Sequence, residues 1–214
     1  MNRTSFQSIK PQLREVWRLS LPAILTQITT ITMQYIDSAM VGRLGANASA
    51  AIGLVASSTW LMNGVCYALA AGFSVQVAHR IGAGNEKGAR NVVRHGLISA
   101  LIVSGLLCLI GVAIHMHLPV WLKGDAEITY DAGRYFLTFA WMLPFTQMSS
   151  LTSSFLQCAG DMLTPSILNA VMCVLDVIFN TLLIFPTRTV HWGGTELVLP
   201  GAGMGVAGAA LGTA

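Results

Sequence analysis

Residues 97–114 read LISALIVSGLLCLIGVAI, a stretch that contains no charged residue. The uncharged run around it extends from His95 to Leu122. An α-helix needs roughly 20 apolar residues to cross about 30 Å of hydrocarbon, and this run supplies them. The stretch therefore predicts a membrane-spanning helix. Its serines are scattered and form no stripe, which predicts that the helix is a lipid-facing wall.

Four further uncharged runs are long enough to cross a membrane: Leu19–Ile36, Leu44–Ala78, Tyr135–Gly160, and Met162–Thr187 with Asp176 inside it. The runs predict spans at about 16–41, 48–78, 93–114, 133–159 and 164–187, with the start of a sixth at 205–214. The predicted fold class is an all-α membrane protein: a polytopic bundle of five complete transmembrane helices plus the start of a sixth, with residues 1–214 as one transmembrane domain. Because about ten residues cannot cross a bilayer, we expect the chain to be truncated or to be one part of a larger protein.

The composition agrees with this class. The chain is 54% hydrophobic and only 10% charged. A soluble domain carries about a quarter charged residues, so a soluble fold would lack the polar material to cover its surface.

The basic residues predict the orientation. Eight of the twelve Lys and Arg residues precede the first span or lie between the second and third. Both positions fall on one side if every helix crosses, so the positive-inside rule places the N-terminus in the cytoplasm, with the protein multi-pass in the cell (plasma or inner) membrane. Nucleic-acid binding is not needed to explain these residues.

Polar side chains form stripes on three spans at helical spacing. Because polar groups in lipid face other helices or water, we expect the three stripes to converge, either as hydrogen bonds that hold the bundle together or as the lining of a cavity. The stripes are Gln27, Thr30, Gln34 and Asp37 on the first span, Gln147, Ser150, Ser154 and Gln157 on the fourth, and Asn169, Cys173, Asp176 and Asn180 on the fifth.

Two acids, Asp37 and Asp176, lie within this apolar sequence. No Lys or Arg lies within the uncharged runs, and an unpaired carboxylate at low dielectric binds a proton or holds a cation. This predicts a switchable site of the kind that cation-coupled transport needs. Two alternatives remain open: Asp37 is solvated at the headgroup level if the first helix ends near Ile36, and Asp176 is a protonated acid bonded to a neighbouring helix.

Enzyme chemistry has no support in the sequence. We find no nucleophile and base pair, no metal-ligand cluster and no cofactor motif. Four cysteines without a CxxC pair are interpreted as small core side chains. We therefore expect no enzyme activity, no metal and no cofactor other than a coupling ion.

Three segments resemble the N-terminal lobe of the multidrug and toxic compound extrusion (MATE) transporters. They are YIDSAMVGRLG (35–45), VAHRIGAGNEKGAR (77–90) and GVAGAALGT (205–213). The likeness covers essentially the whole chain and is nearest to bacterial members, including the DNA-damage-inducible F type. It implies one lobe of a two-lobed, twelve-helix secondary active antiporter that exports organic cations or amphiphilic drug-like compounds in exchange for H⁺ or Na⁺.

The resemblance also implies the site residues. Asp37 and Gln34 match binding positions of the first helix, and Pro22 matches a bending point. Asp176 and Asn180 match an acid and amide pair of the family in reversed order, and Asn169 is expected to add hydrogen bonds. The expected partners are the lipid bilayer, the substrate, and a missing C-terminal lobe or a second half-unit.

Two rival functions are considered. One is a lipid-linked oligosaccharide flippase of the same superfamily, which would need basic residues for a pyrophosphate where these spans carry acids. The other is a non-transporting membrane half-unit or scaffold.

Overall fold

The computed structural model of the chain describes residues 4–192 and 195–212, and side chains only within 16–17, 20–21, 23–187 and 201–212. Its described part is a helical bundle with a β-hairpin on one loop. The elements are α1 (Thr4–Gly42), α2 (Ala46–Gly82), α3 (Glu86–Ile114), α4 (His117–Trp121), α5 (Ala126–Cys158), α6 (Leu163–Ile184), β1 (Pro186–Trp192), β2 (Thr195–Ala202) and α7 (Val206–Gly212).

The predicted class, a polytopic helical membrane bundle, is confirmed. The five predicted spans correspond to α1, α2, α3, α5 and α6, and the predicted start of a sixth to α7. Most of the helices extend beyond the predicted spans, because charged residues at the ends continue the helix outside the apolar run. Among the described residues, α2, α3 and α6 are the helices whose length and composition meet the requirement for crossing a membrane.

The hairpin is a feature that the sequence interpretation missed. Strands β1 and β2 pair antiparallel, with Arg188 opposite Leu199, and an irregularity lies between Pro186 and Arg188. Most of these residues lie between the predicted spans at 164–187 and 205–214, where no strand was predicted. The Thr and Val content of this segment favours strands, and this signal was available in the sequence.

The core of the bundle lies between α2, α3 and α5. One cluster includes Val55, Phe136 and Leu143, and a second includes Val77 and Leu151. Small residues let these helices approach closely, since a Cβ atom at Gly111 would lie 2.6 Å from the Cβ of Ala140 on α5. Tight apolar packing thus joins α2, α3 and α5 into one unit.

The other helices meet at the polar side of the bundle. Helix α1 packs along α6, and α7 packs against α5 and α6. Helix α1 ends at Gly42, and α2 follows Gly45, whose φ of 111° suits a residue without a side chain. Because α1 does not stop near Ile36, Asp37 is part of the helix.

Candidate functional site

Asp37 on α1 and Asp176 on α6 face each other where these two helices pack. Their carboxyl groups are close enough to interact directly. Asp176 is only 3% exposed and Asp37 is half-buried. The stripes of the first and fifth predicted spans therefore converge at these two acids, and the roles assigned to the acids stay predictions.

The side chain of Asn180 joins the two acids. Its Nδ2 atom donates to Oδ1 of Asp37 over 2.8 Å and to Oδ2 of Asp176 over 3.1 Å. An amide nitrogen carries two hydrogens, so it serves both carboxyl groups at once. Asn180 lies one helical turn after Asp176 and is fully buried, which fixes the amide between the acids.

Two oxygen atoms of this cluster have unused hydrogen-bonding capacity. Oδ1 of Asp176 and Oδ1 of Asn180 are buried and accept no hydrogen bond from the described residues. Gly212 on α7 covers Asn180 so closely that a Cβ atom at position 212 would collide with Oδ1. A buried carboxylate oxygen without a donor is costly, and a proton or a small cation would satisfy it.

A cavity of about 490 Å³ opens beside Asp37. Gln34 and Ser38 line it from α1, Trp60 from α2 and Tyr135 from α5. Gln34 is exposed toward this space, and Asp37 lies within electrostatic range of Tyr135. A cavity lined by a carboxylate and by aromatic side chains is a chemical environment that attracts organic cations.

Asn169 lies at a different level of the bundle. Its Nδ2 donates to Oγ1 of Thr30 over 3.1 Å and to the carbonyl oxygen of Thr26 over 3.4 Å. Seven residues separate it from Asp176, which is about 10 Å along a helix. The structure thus places Asn169 as a link between α1 and α6 and does not bring it to the acids.

The polar stripe on α5 contains both a residue that hydrogen-bonds to another helix and residues that line a cavity. Gln147 is buried and donates to the carbonyl oxygen of Cys66 over 3.0 Å, which links α5 to α2. Ser150, Ser154 and Gln157 instead line a cavity of about 590 Å³ that Asn169 lines from α6. The polar faces of α5 and α6 therefore meet around an open space.

Pro22 lies within the bounds of α1, but its side chain falls outside the described residues. The predicted bending of α1 at this position stays a prediction.

Two residues near the acids were not predicted from the sequence. They are Tyr135, a single aromatic residue that belongs to no pattern, and Gly212. The spacing of Gly208 and Gly212 on α7 is a small-residue pattern that could have indicated close packing.

Comparison with known proteins places the chain in a family. The profile of the MatE family matches residues 22–182. The chain is 26% identical over 205 residues to the probable multidrug resistance protein NorM of Thermotoga maritima, covering 95% of this chain and 42% of that protein. It is 31% identical over 188 residues to the NorM of Listeria monocytogenes, covering 87% and 40%. The chain thus spans less than half the length of these relatives.

Solved structures share the fold. The Vibrio cholerae MATE transporter VcmN in its bent form aligns with a TM-score of 0.82 at 21% identity, over 97% of this chain and 44% of that one. A MOP superfamily transporter from Pyrococcus furiosus, whose reversed binding-pocket polarity is described as suggesting a different function, aligns with a TM-score of 0.80 at 22% identity, over 93% and 41%. Since the family profile covers most of the sequence, the chain belongs to the MatE family, that of the multidrug and toxic compound extrusion transporters.

Proposed function

We propose that the protein is the N-terminal lobe of a secondary active antiporter that exports organic cations in exchange for H⁺ or Na⁺. The observation that carries this proposal is the Asn180 amide shared between Asp37 and Asp176. One acid borders an open cavity and the other is buried with an oxygen lacking a donor. Such a pair has one group available to a substrate and one available to a coupling ion.

In this proposal the coupling ion acts on Asp176. A proton or Na⁺ bound at its Oδ1 atom neutralises the buried carboxylate, which is costly to leave charged and unpaired at low dielectric. Asp37 and Asp176 interact, so the charge state of one alters the affinity of the other for a cation. Binding of the coupling ion therefore weakens the hold of the site on a cationic substrate.

The substrate occupies the cavity beside Asp37. Trp60 lines this cavity and is 79% exposed, so its ring is accessible to a cation, while Gln34 supplies a polar contact. The second wall of the cleft comes from a C-terminal lobe or a second half-unit. The N-terminus lies in the cytoplasm and the protein crosses the cell membrane several times, as the distribution of basic residues predicts.

Bending of α1 at Pro22 is the proposed conformational step. Asp37 is on α1, while Asp176 and Asn180 are both on α6. A bend in α1 would therefore move Asp37 relative to the other two residues and separate it from the Asn180 amide. Ion binding and the shape of the cavity would change together.

The test is efflux of ethidium, an organic cation, from bacteria that lack their own exporters and express the full-length protein. We expect Asp37→Asn and Asp176→Asn to abolish efflux. Asp125→Asn is the matched control, because Asp125 is exposed and caps α5 without a side-chain hydrogen bond. Full efflux in both site variants would overturn the mechanism, and no efflux from the wild type would favour a non-transporting half-unit.

The flippase alternative is not favoured by the cavities. Among the described residues that line the two cavities beside α1 and α6, none is Lys or Arg. A pyrophosphate-linked lipid needs positive charge, and here the charged lining residue is Asp37.

A further inference from the structure

A further cavity shares no lining residue with the two cavities described above. A groove of about 740 Å³ opens where α2 turns into α3, between the ends of α2, α3 and α5. We call it the α3 groove. Its apolar lining includes Val77, Val93, Leu97, Ile98 and Phe155. This volume is within the range of ligand pockets, about 300–1,000 Å³, although the function proposed above does not use it.

The polar rim of the α3 groove is positively charged. Arg90 and Arg94 both line it, one helical turn apart on the same face of α3, and both are exposed. Glu86 is the acid of the rim, and its Oε2 atom lies 3.8 Å from Nη2 of Arg90. Both of those side chains are more than four-fifths exposed, so this ion pair is weak. Arg94 has no ion pair among the described residues.

The charged rim of the α3 groove lies at the level where the sequence predicts the membrane surface. Arg94 is the last Lys or Arg before the run from His95 to Leu122 that has no charge. Residues on the apolar side of Arg94 therefore lie at the level of the lipid chains, and Arg94 lies at the level of the headgroups. Beyond the groove, Leu101 and Ile102 are also exposed and continue the apolar surface along α3.

We propose that the α3 groove binds an anionic phospholipid, whose phosphate lies between Arg90 and Arg94 and whose acyl chain fills the apolar groove. Two guanidinium groups a helical turn apart can both donate hydrogen bonds to one phosphate. A zwitterionic lipid would gain less from them, because its own cation offsets its phosphate. The lipid would also hold α3 and α5 together, since both helices line the groove.

The test is native mass spectrometry of the full-length protein in detergent, titrated with phosphatidylglycerol or with phosphatidylcholine of the same acyl chains. We expect phosphatidylglycerol to bind more tightly by roughly tenfold, given about fivefold for each arginine near a membrane surface and the partial offset by Glu86. Arg90→Gln with Arg94→Gln should remove this preference and weaken phosphatidylcholine binding much less than phosphatidylglycerol binding.

Three further variants test whether the preference depends on the charge and the space of the α3 groove. Arg80→Gln with Lys87→Gln removes equal charge from the same end of the bundle without touching the lining, and should keep the preference. Glu86→Gln should strengthen phosphatidylglycerol binding, an effect that partial unfolding cannot mimic. Ala159→Trp, which fills the groove, should weaken both lipids. Equal affinity for the two lipids in the wild type, or an equal loss in the control pair and the groove pair, would overturn the proposal.

Discussion

Nδ2 of Asn180 on α6 lies 2.8 Å from Oδ1 of Asp37 on α1, so a buried amide connects two helices at the border of a cavity. The same nitrogen donates to Asp176 one turn earlier on its own helix. Asn180 is thus the residue through which the two acids are held together. In the proposed mechanism this cluster is the coupling site and the cavity beside it is the substrate site.

Asn180→Ala should disconnect the acids. Loss of both donated bonds leaves buried carboxylate oxygens without donors, which costs about 1–3 kcal/mol in stability. We expect a lower midpoint of thermal unfolding in detergent and strongly reduced ethidium efflux by the full-length protein. Asn180→Asp would place a third carboxyl group here and should impair efflux further. Wild-type efflux in Asn180→Ala would contradict the role of the bridge.

Gly212→Ala should disturb the cluster from α7. A methyl group at position 212 would collide with Oδ1 of Asn180, and overpacking of this kind costs about 1–3 kcal/mol. Gly72→Ala is the matched control, because a Cβ atom at Gly72 meets nothing within 4 Å. Thermal unfolding of both variants checks the expectation. Unfolding of both variants at the wild-type temperature would contradict the close contact between Gly212 of α7 and Asn180.

Asn169→Ala should lower the stability of the bundle without changing the coupling of substrate transport to the ion. The variant loses the bonds to Thr30 and to the Thr26 carbonyl, worth about 1–3 kcal/mol together. Thermal stability should fall, while the ratio of coupling ions to substrate measured in proteoliposomes should stay at the wild-type value. A changed ratio would mean that Asn169 takes part in coupling, contrary to this prediction.

The start of α6 should respond to pH through Asp161. Hydrogen bonds from the Thr164 hydroxyl and backbone N–H, at 2.6 and 3.0 Å, lower the pKa of the Asp161 carboxyl group. A carboxyl group with a lowered pKa stabilises the fold above its ordinary pKa of about 4, and this contribution is lost as the pH falls through the lowered value.

Asp161→Ala should therefore reduce thermal stability at pH 7, and the difference from the wild type should shrink as the pH falls below about 4. Asp161→Asn keeps an acceptor for the cap and should lose less. A difference that is equal at both pH values would mean that the charged cap does not contribute.

The sequence predicted which polar residues of this site share one face of the same helix. Spacing placed Asp37 on a polar face of α1, and the four-residue step placed Asn180 beside Asp176. The seven-residue step from Asn169 to Asp176 already implies about 10 Å along the helix, but spacing on one helix does not tell which residues of α1 each of them meets. Tyr135 and Gly212 come from α5 and α7, and only the packing of distant segments brings them to α1 and α6. The hairpin β1–β2 was missed because a membrane interpretation treats residues between spans as loop.

The most direct test of the coupling site is transport of a fluorescent organic cation by the full-length protein in proteoliposomes, under an imposed H⁺ or Na⁺ gradient. We predict that one of these gradients drives transport by the wild type and by Asp125→Asn. Under the same gradient, Asp37→Asn and Asp176→Asn should show no more than the leak of protein-free liposomes. Gradient-driven transport at the wild-type rate in both site variants would contradict the assignment of Asp37 and Asp176 as the coupled pair.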